Sequence, residues 1–155
     1  MPNLIHLQKD LILKVIRDKE LAVVEIEAGK VKIFLENLIL EKDAVTIPFE
    51  AVMSLGIIKK KINRELTLCD FNVNNNVVTF KIILLGSRVS QIENFLIKMI
   101  SPLINKILKD KAPFLVRDNR ISVDLSHYAT QLFPTFNLEL LEIGIFEDDI
   151  NIVFN

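Results

Sequence analysis

Apolar and polar positions alternate with a period of two through much of the first third of the chain. Val31, Ile33 and Leu35 are interleaved with Lys32, Phe34 and Glu36, and Val45, Ile47 and Phe49 resume the pattern after Glu41-Lys42-Asp43. Successive side chains of a strand point to opposite faces, so this spacing marks half-buried strands. The stretch from residue 10 to about 48 is therefore predicted to be strand-like, with turns at Gly29-Lys30 and at Glu41-Asp43. Pro48 cannot donate to a ladder and marks a strand end or an edge position.

The period then changes. Ala51, Val52, Leu55, Ile58 and Ile62 lie three or four apart, which predicts a short amphipathic helix over 49–62, although Gly56 weakens it. Two strands are expected at 66–73 and 77–85 around Asn74-Asn75-Asn76, because asparagine tolerates the left-handed backbone of a tight hairpin. The longest helical stripe runs from about 88 to 110 and includes Ile92, Phe95, Leu96, Met99, Ile100 and Leu103. Ser90 and Glu93 have the spacing of a capping box, and Pro102 should kink this helix. Beyond it a strand at Ile121-Leu125 precedes a second short helix over about 126–133, ended by Pro134. Two strands, about 136–146 and 149–154, close the chain around Glu147-Asp148-Asp149.

Setting residue 66 against residue 138 and continuing without gaps pairs Leu66, Leu68, Cys69, Phe71, Val73, Val78, Phe80 and Ile82 with Leu138, Leu140, Leu141, Ile143, Ile145, Ile150, Ile152 and Phe154. Every pair is apolar. The alternation changes phase at the same place in both copies, between Leu68 and Cys69 and between Leu140 and Leu141. A β-bulge produces such a change and bends its sheet. The expectation is a single domain over 1–155 with an internal repeat at about 45–85 and 121–155. Its fold class is α+β: a strongly twisted antiparallel sheet wrapped around one long, Pro-kinked helix, with two short helices.

Composition narrows the function more than it identifies one. The chain has 155 residues, half of them apolar, and its mean hydropathy is +0.36. That is more apolar than a small soluble domain needs, which points to an oligomer interface or an apolar ligand cavity. A net charge of −1 argues against nucleic acid, which selects a strong basic excess. Without Trp and with Tyr128 as the single Tyr, an aromatic platform for single strands is not expected either. The N-terminal residues do not read as a signal peptide, and no run reaches 18 uncharged apolar residues. With one cysteine, Cys69, a cytoplasmic protein is expected.

Candidate chemistry is sparse. His6 and His127 stand in no His-x-x-x-His or Cys-x-x-Cys arrangement, so no metal site is expected, and no cofactor is implied. Ser126 beside His127 has no nucleophile-elbow context. The acidic pairs Asp148-Asp149 and Glu41 with Asp43 fall in predicted turns, where Asp bonds its own backbone. Four glycines leave no phosphate-cradling loop. No catalytic residue is assigned, and an enzyme is not expected. The basic run Lys59-Lys60-Lys61 with Arg64 follows an apolar segment, and Lys106, Lys109 and Lys111 close the long helix. These charges suit helix C-termini and a solvated face. They also suit anionic lipid headgroups, which makes Lys59, Lys60, Lys61 and Arg64 the candidate membrane-surface residues.

The helical stripe at 88–110, followed by Val116-Arg117-Asp118-Asn119-Arg120-Ile121-Ser122-Val123-Asp124-Leu125 and Leu138-Glu139-Leu140-Leu141-Glu142-Ile143, resembles the tubular lipid-binding (TULIP) superfamily. The similarity is one of pattern over about residues 20–155. It implies a long helix in a highly curved sheet around an apolar groove, with no catalytic signature. The leading expectation is a non-enzymatic module holding a lipid or other long apolar ligand between helix and sheet, lined by Ile92, Phe95, Leu96, Met99, Ile100 and Leu103. Flexible Met99 suits such a lining. The alternative is an interaction module that spends its surplus apolar surface on a homo- or hetero-oligomer.

Overall fold

The computed structural model of the chain describes residues 2–18, 23–26, 30–35, 37–84, 114–126 and 138–155. Among these, strand accounts for 71% and helix for 11%, so the described residues form a mostly β fold rather than the α+β fold expected from the sequence. The predicted long helix over 88–110 lies outside the described residues, as does the second short helix beyond Ser126.

The strands are β1 (Asn3–Gln8), β2 (Val23–Ile26), β3 (Val31–Leu35), β4 (Ile39–Glu41), β5 (Ala44–Leu55), β6 (Ile58–Asn74), β7 (Val77–Leu84), β8 (Phe114–Arg117), β9 (Arg120–Asp124), β10 (Leu140–Ile145) and β11 (Asp149–Phe154). One helix, α1 (Lys9–Asp18), follows β1. The strands form an eight-stranded antiparallel sheet in the order β2-β3-β5-β6-β7-β9-β8, with β4 also on β5, and a three-stranded sheet in the order β1-β11-β10.

The helix predicted over 49–62 is instead the distal half of a β-hairpin. β5 and β6 pair without interruption from Ala44↔Cys69 to Leu55↔Ile58. Three-four spacing and strand alternation coincide here, since Ile47, Phe49, Ala51, Met53 and Leu55 carry the period of two straight through the segment. Gly56 decides between them. It takes φ +63 and Ile57 does not share the positive sign, which fits a two-residue type II′ hairpin loop and ends any helix. In the opposite direction, Lys9–Asp18 is helical where a strand-like stretch was expected; Asp10 in its first turn and Arg17 in its last complement the helix dipole.

The eight-stranded sheet has one apolar face. Ile33, Phe49, Leu66, Ile82, Leu84 and Ile121 are buried there, with Ile47, Ala51, Leu68, Phe80 and Val123 packed around them. Its opposite face is mixed, with Phe34, Val52 and Ile83 among Lys32, Glu50 and Lys61, and is tied by cross-strand pairs, Thr46 to Thr67 and Thr79 to Ser122, each 3.1 Å between hydroxyls. A second cluster, Leu38, Leu40, Val45 and Ile145, joins the sheets and takes in Ile12 and Leu13 of α1 with Phe71 and Ile143. Backbone and side-chain bonds stitch the same junction: the Asp43 N–H donates to Ile145 O (3.0 Å) and the Leu140 N–H donates to Asn76 Oδ1 (2.7 Å).

The hairpin turns read from Glu41-Asp43 and from the asparagine run are present. Asp43 takes φ 61, and Asn75 and Asn76 take φ 48 and 62 between Asn74 and its partner Val77. A bulge occurs at the phase switch expected at Leu140/Leu141, whereas the one expected at Leu68/Cys69 is displaced along β6, since Cys69 still pairs in register with Lys81. The β6–β7 register shifts between Cys69 and Asn72, with Asp70 at φ 52, and the β10–β11 register shifts between Leu140 and Glu142. The first shift carries the inward set from Leu66 and Leu68 to Phe71 and Val73, and Phe71 stacks on Phe80 with centroids 5.5 Å apart.

Candidate functional site

The β5–β6 hairpin outruns its neighbours. β7 pairs β6 only from Leu66 to Asn74, and β3 covers β5 from Phe49 to Met53. Residues 58–65 therefore have β5 on one side and no described strand on the other. The last tie to the sheet is a bond from the Ser54 N–H to Lys30 O, 2.7 Å. Beyond it stand Leu55 (67% exposed), Ile57, which is fully exposed, and Ile58 (64%). Three large apolar side chains at one loop are out of place on a solvated tip.

Behind this tip the charge has one sign. From Met53 to Arg64 the chain carries Lys59, Lys60, Lys61 and Arg64 and no acid. Because β6 alternates, Lys60 and Arg64 lie on the face of Ile58 and Ile62, while Lys59 and Lys61 lie on the other, so cations flank the hairpin on both sides. Lys61 Nζ sits 3.6 Å from Glu50 Oε1, a partly screened surface pair. Lys59, Lys60 and Arg64 make no ion pair with a described residue. Lys30, whose carbonyl holds Ser54, adds an exposed cation at the hairpin's flank.

All four candidate membrane-surface residues thus lie on one strand. They occupy an exposed edge rather than the C-terminus of a helix, so the helix-dipole account of their charge does not apply. The sequence reading did not identify the tip itself, because Leu55 and Ile58 fitted the buried stripe of the expected helix. The six residues of the predicted ligand lining, Ile92, Phe95, Leu96, Met99, Ile100 and Leu103, lie outside the described residues. No family model, curated protein or solved structure matches the chain.

At the hairpin's root an open groove of about 510 Å³ is lined by Phe34, Asn37, Pro48, Phe49, Glu50, Asn63, Arg64 and Glu65. Two carboxylates and two amides make it a poor seat for an acyl chain. Two of the acidic residues weighed as candidate chemistry have local structural work. Asp43 forms the β4–β5 turn, and Asp149 Oδ2 lies 3.1 Å from His6 Nε2. His6 Nδ1 is 2.6 Å from Asn151 Oδ1, so the imidazole is fixed across β1 and β11. Cys69 is half-buried between Ala44 and Lys81. Among the described residues, no three His, Cys, Asp or Glu side chains are grouped to hold a metal, and no helix is long and apolar enough to cross a membrane.

Proposed function

We propose that this protein is a non-enzymatic lipid-binding module, cytoplasmic and peripheral, that meets anionic bilayers through the tip of its β5–β6 hairpin. The observation that carries the reading is the join of a fully exposed Ile57, with Leu55 and Ile58 beside it, to a cationic and acid-free stretch. Apolar side chains enter the interfacial region of a bilayer, and lysines next to them stay at the headgroups, where each contributes about 1 kcal/mol on an anionic surface. Neither term alone gives stable attachment; together they form the two-part signal that peripheral anchoring requires. Lys59, Lys60, Lys61 and Arg64 supply the electrostatic part, and the long side chains of lysine and arginine can reach headgroups while their stems lie along the strand.

The test is cosedimentation of the full chain with phosphatidylcholine vesicles, with and without phosphatidylserine. Binding that requires phosphatidylserine and weakens as salt is raised supports the proposal. Failure to bind either vesicle, or equal binding to both, overturns it.

A further inference from the structure

A separate surface, remote in sequence from the hairpin tip, carries an independent inference about assembly. β1 is the outer strand of the three-stranded sheet, paired with β11 from Asn3↔Phe154 to Gln8↔Asp149, and no described strand lies on its other side. The N–H and C=O groups on that side have no strand partner among the described residues. Leu4 is 60% and Ile5 43% exposed. Sheets guard such edges with a charge, a proline or a bulge within the strand. Asn3-Leu4-Ile5-His6-Leu7-Gln8 contains no Asp, Glu, Lys, Arg or Pro, and its register with β11 has no shift. The next element adds apolar surface, since Leu11 and Val15 of α1 are half-exposed and four residues apart, on one helix face.

We propose that the edge of β1 facing away from β11 pairs antiparallel with the same edge of a second copy of this chain, joining two three-stranded sheets into one of six strands. A second copy fits better than a charged partner. The strand carries no fixed charge to select an opposite one, and none to set like charges against each other across the new seam. A two-fold axis normal to the sheet makes the pairing antiparallel by symmetry and gives both copies the same contact.

That axis also fixes the register. Opposed residues must lie on the same face, so the axis runs between the two strands, midway between the two copies of one residue. Placing it level with Ile5 sets Ile5 against Ile5 of the second copy and Asn3 against Leu7. Placing it at His6 would drive two imidazoles together, each already held by its own Asn151 and Asp149. Of these two registers, the Ile5 one keeps the imidazoles apart and is the one proposed. A six-residue edge with a helix stripe beside it is small against a standard interface, so the dimer is expected to be weak and concentration-dependent.

The experiment uses the full chain in a Cys69→Ser background. Sedimentation velocity across the micromolar to sub-millimolar range should show a reversible monomer–dimer equilibrium. Under mild oxidation Ile5→Cys should give an interchain disulfide, because residues directly opposed in an antiparallel pair have Cα atoms within bridging distance. Asn3→Cys should not, since the two copies of residue 3 are offset by about 14 Å along the strands, too far to bridge. Ile5→Lys should abolish the dimer while vesicle binding persists, which separates this inference from the lipid proposal. A monomer at every concentration overturns the dimer. Cross-linking of Asn3→Cys in preference to Ile5→Cys overturns the register and the edge pairing with it.

Discussion

Replacing Ile57 by alanine isolates the apolar half of membrane attachment. The side chain is fully exposed at the hairpin loop, so its loss leaves the packing of the folded chain unchanged. A surface change of this kind shifts folding stability by no more than about 0.5 kcal/mol. In a bilayer the same side chain leaves water. Ile57→Ala removes three carbons, and at about 0.8 kcal/mol per buried methylene the loss is about 2 kcal/mol, allowing for immersion that reaches only the interface. With 1.4 kcal/mol per factor of ten, partitioning onto phosphatidylserine-containing vesicles should weaken about thirtyfold. The assay is a vesicle titration by sedimentation, alongside a thermal melt of each protein. Partitioning within twofold of the wild type would refute the insertion argument and reduce the tip to electrostatics. A clear fall in melting temperature would refute the premise that Ile57 packs against nothing.

Further outcomes follow from the same geometry. Lys59→Glu with Lys60→Glu reverses two cations without a described ion-pair partner and should remove binding to anionic vesicles at physiological salt, whereas Lys61→Gln, whose lysine already faces Glu50 at 3.6 Å, should weaken it least of the single lysine changes. Asn76→Gly keeps the left-handed backbone (φ 62) but deletes the bond from the Leu140 N–H; about 1 kcal/mol of stability should be lost by chemical denaturation, while Asn76→Asp, which keeps the acceptor, should lose less. The hydroxyl and backbone N–H of Ser126 hold the Asp124 carboxyl below its ordinary value of 3.8. Its contribution to stability is therefore present above that value and is lost as pH falls through the lowered one. Asp124→Ala should flatten the acid limb of the stability–pH curve measured by denaturant titration.

The local grammar of the hairpins was legible in the sequence, while the identity of several elements was not. Asn75, Asn76 and Asp43 occupy left-handed positions that asparagine and aspartate tolerate, so the turns could be read from composition alone. The phase switch at Leu140/Leu141 announced a bulge because a period of two leaves no other way to move an apolar set to the other register, while the β6 bulge falls just beyond the switch read at Leu68/Cys69, between Cys69 and Asn72. Residues 49–62 misled because Leu55, Ile58 and Ile62 satisfy a helical stripe as well as a strand pattern. The period of two from Ile47 to Leu55, Gly56 as a turn residue and the β-branched pair Ile57-Ile58 argue for the hairpin. Residues 9–18 misled in the other direction, since Leu11, Ile12, Leu13, Val15 and Ile16 are dense enough to pass for a buried strand. The same ambiguity hid the tip. The lysines stood out as a basic run, but whether their apolar neighbours faced a core or open solvent depends on where β3 and β7 stop, which is a property of the sheet and not of the segment.

Because the chain contains no tryptophan, Ile57→Trp gives a single indole signal at the hairpin loop. With phosphatidylserine-containing vesicles its emission should move to shorter wavelength and be quenched by lipids brominated in the upper acyl chain. An emission maximum that stays where it is in buffer, with no quenching while the protein sediments with the vesicles, would contradict insertion of the tip.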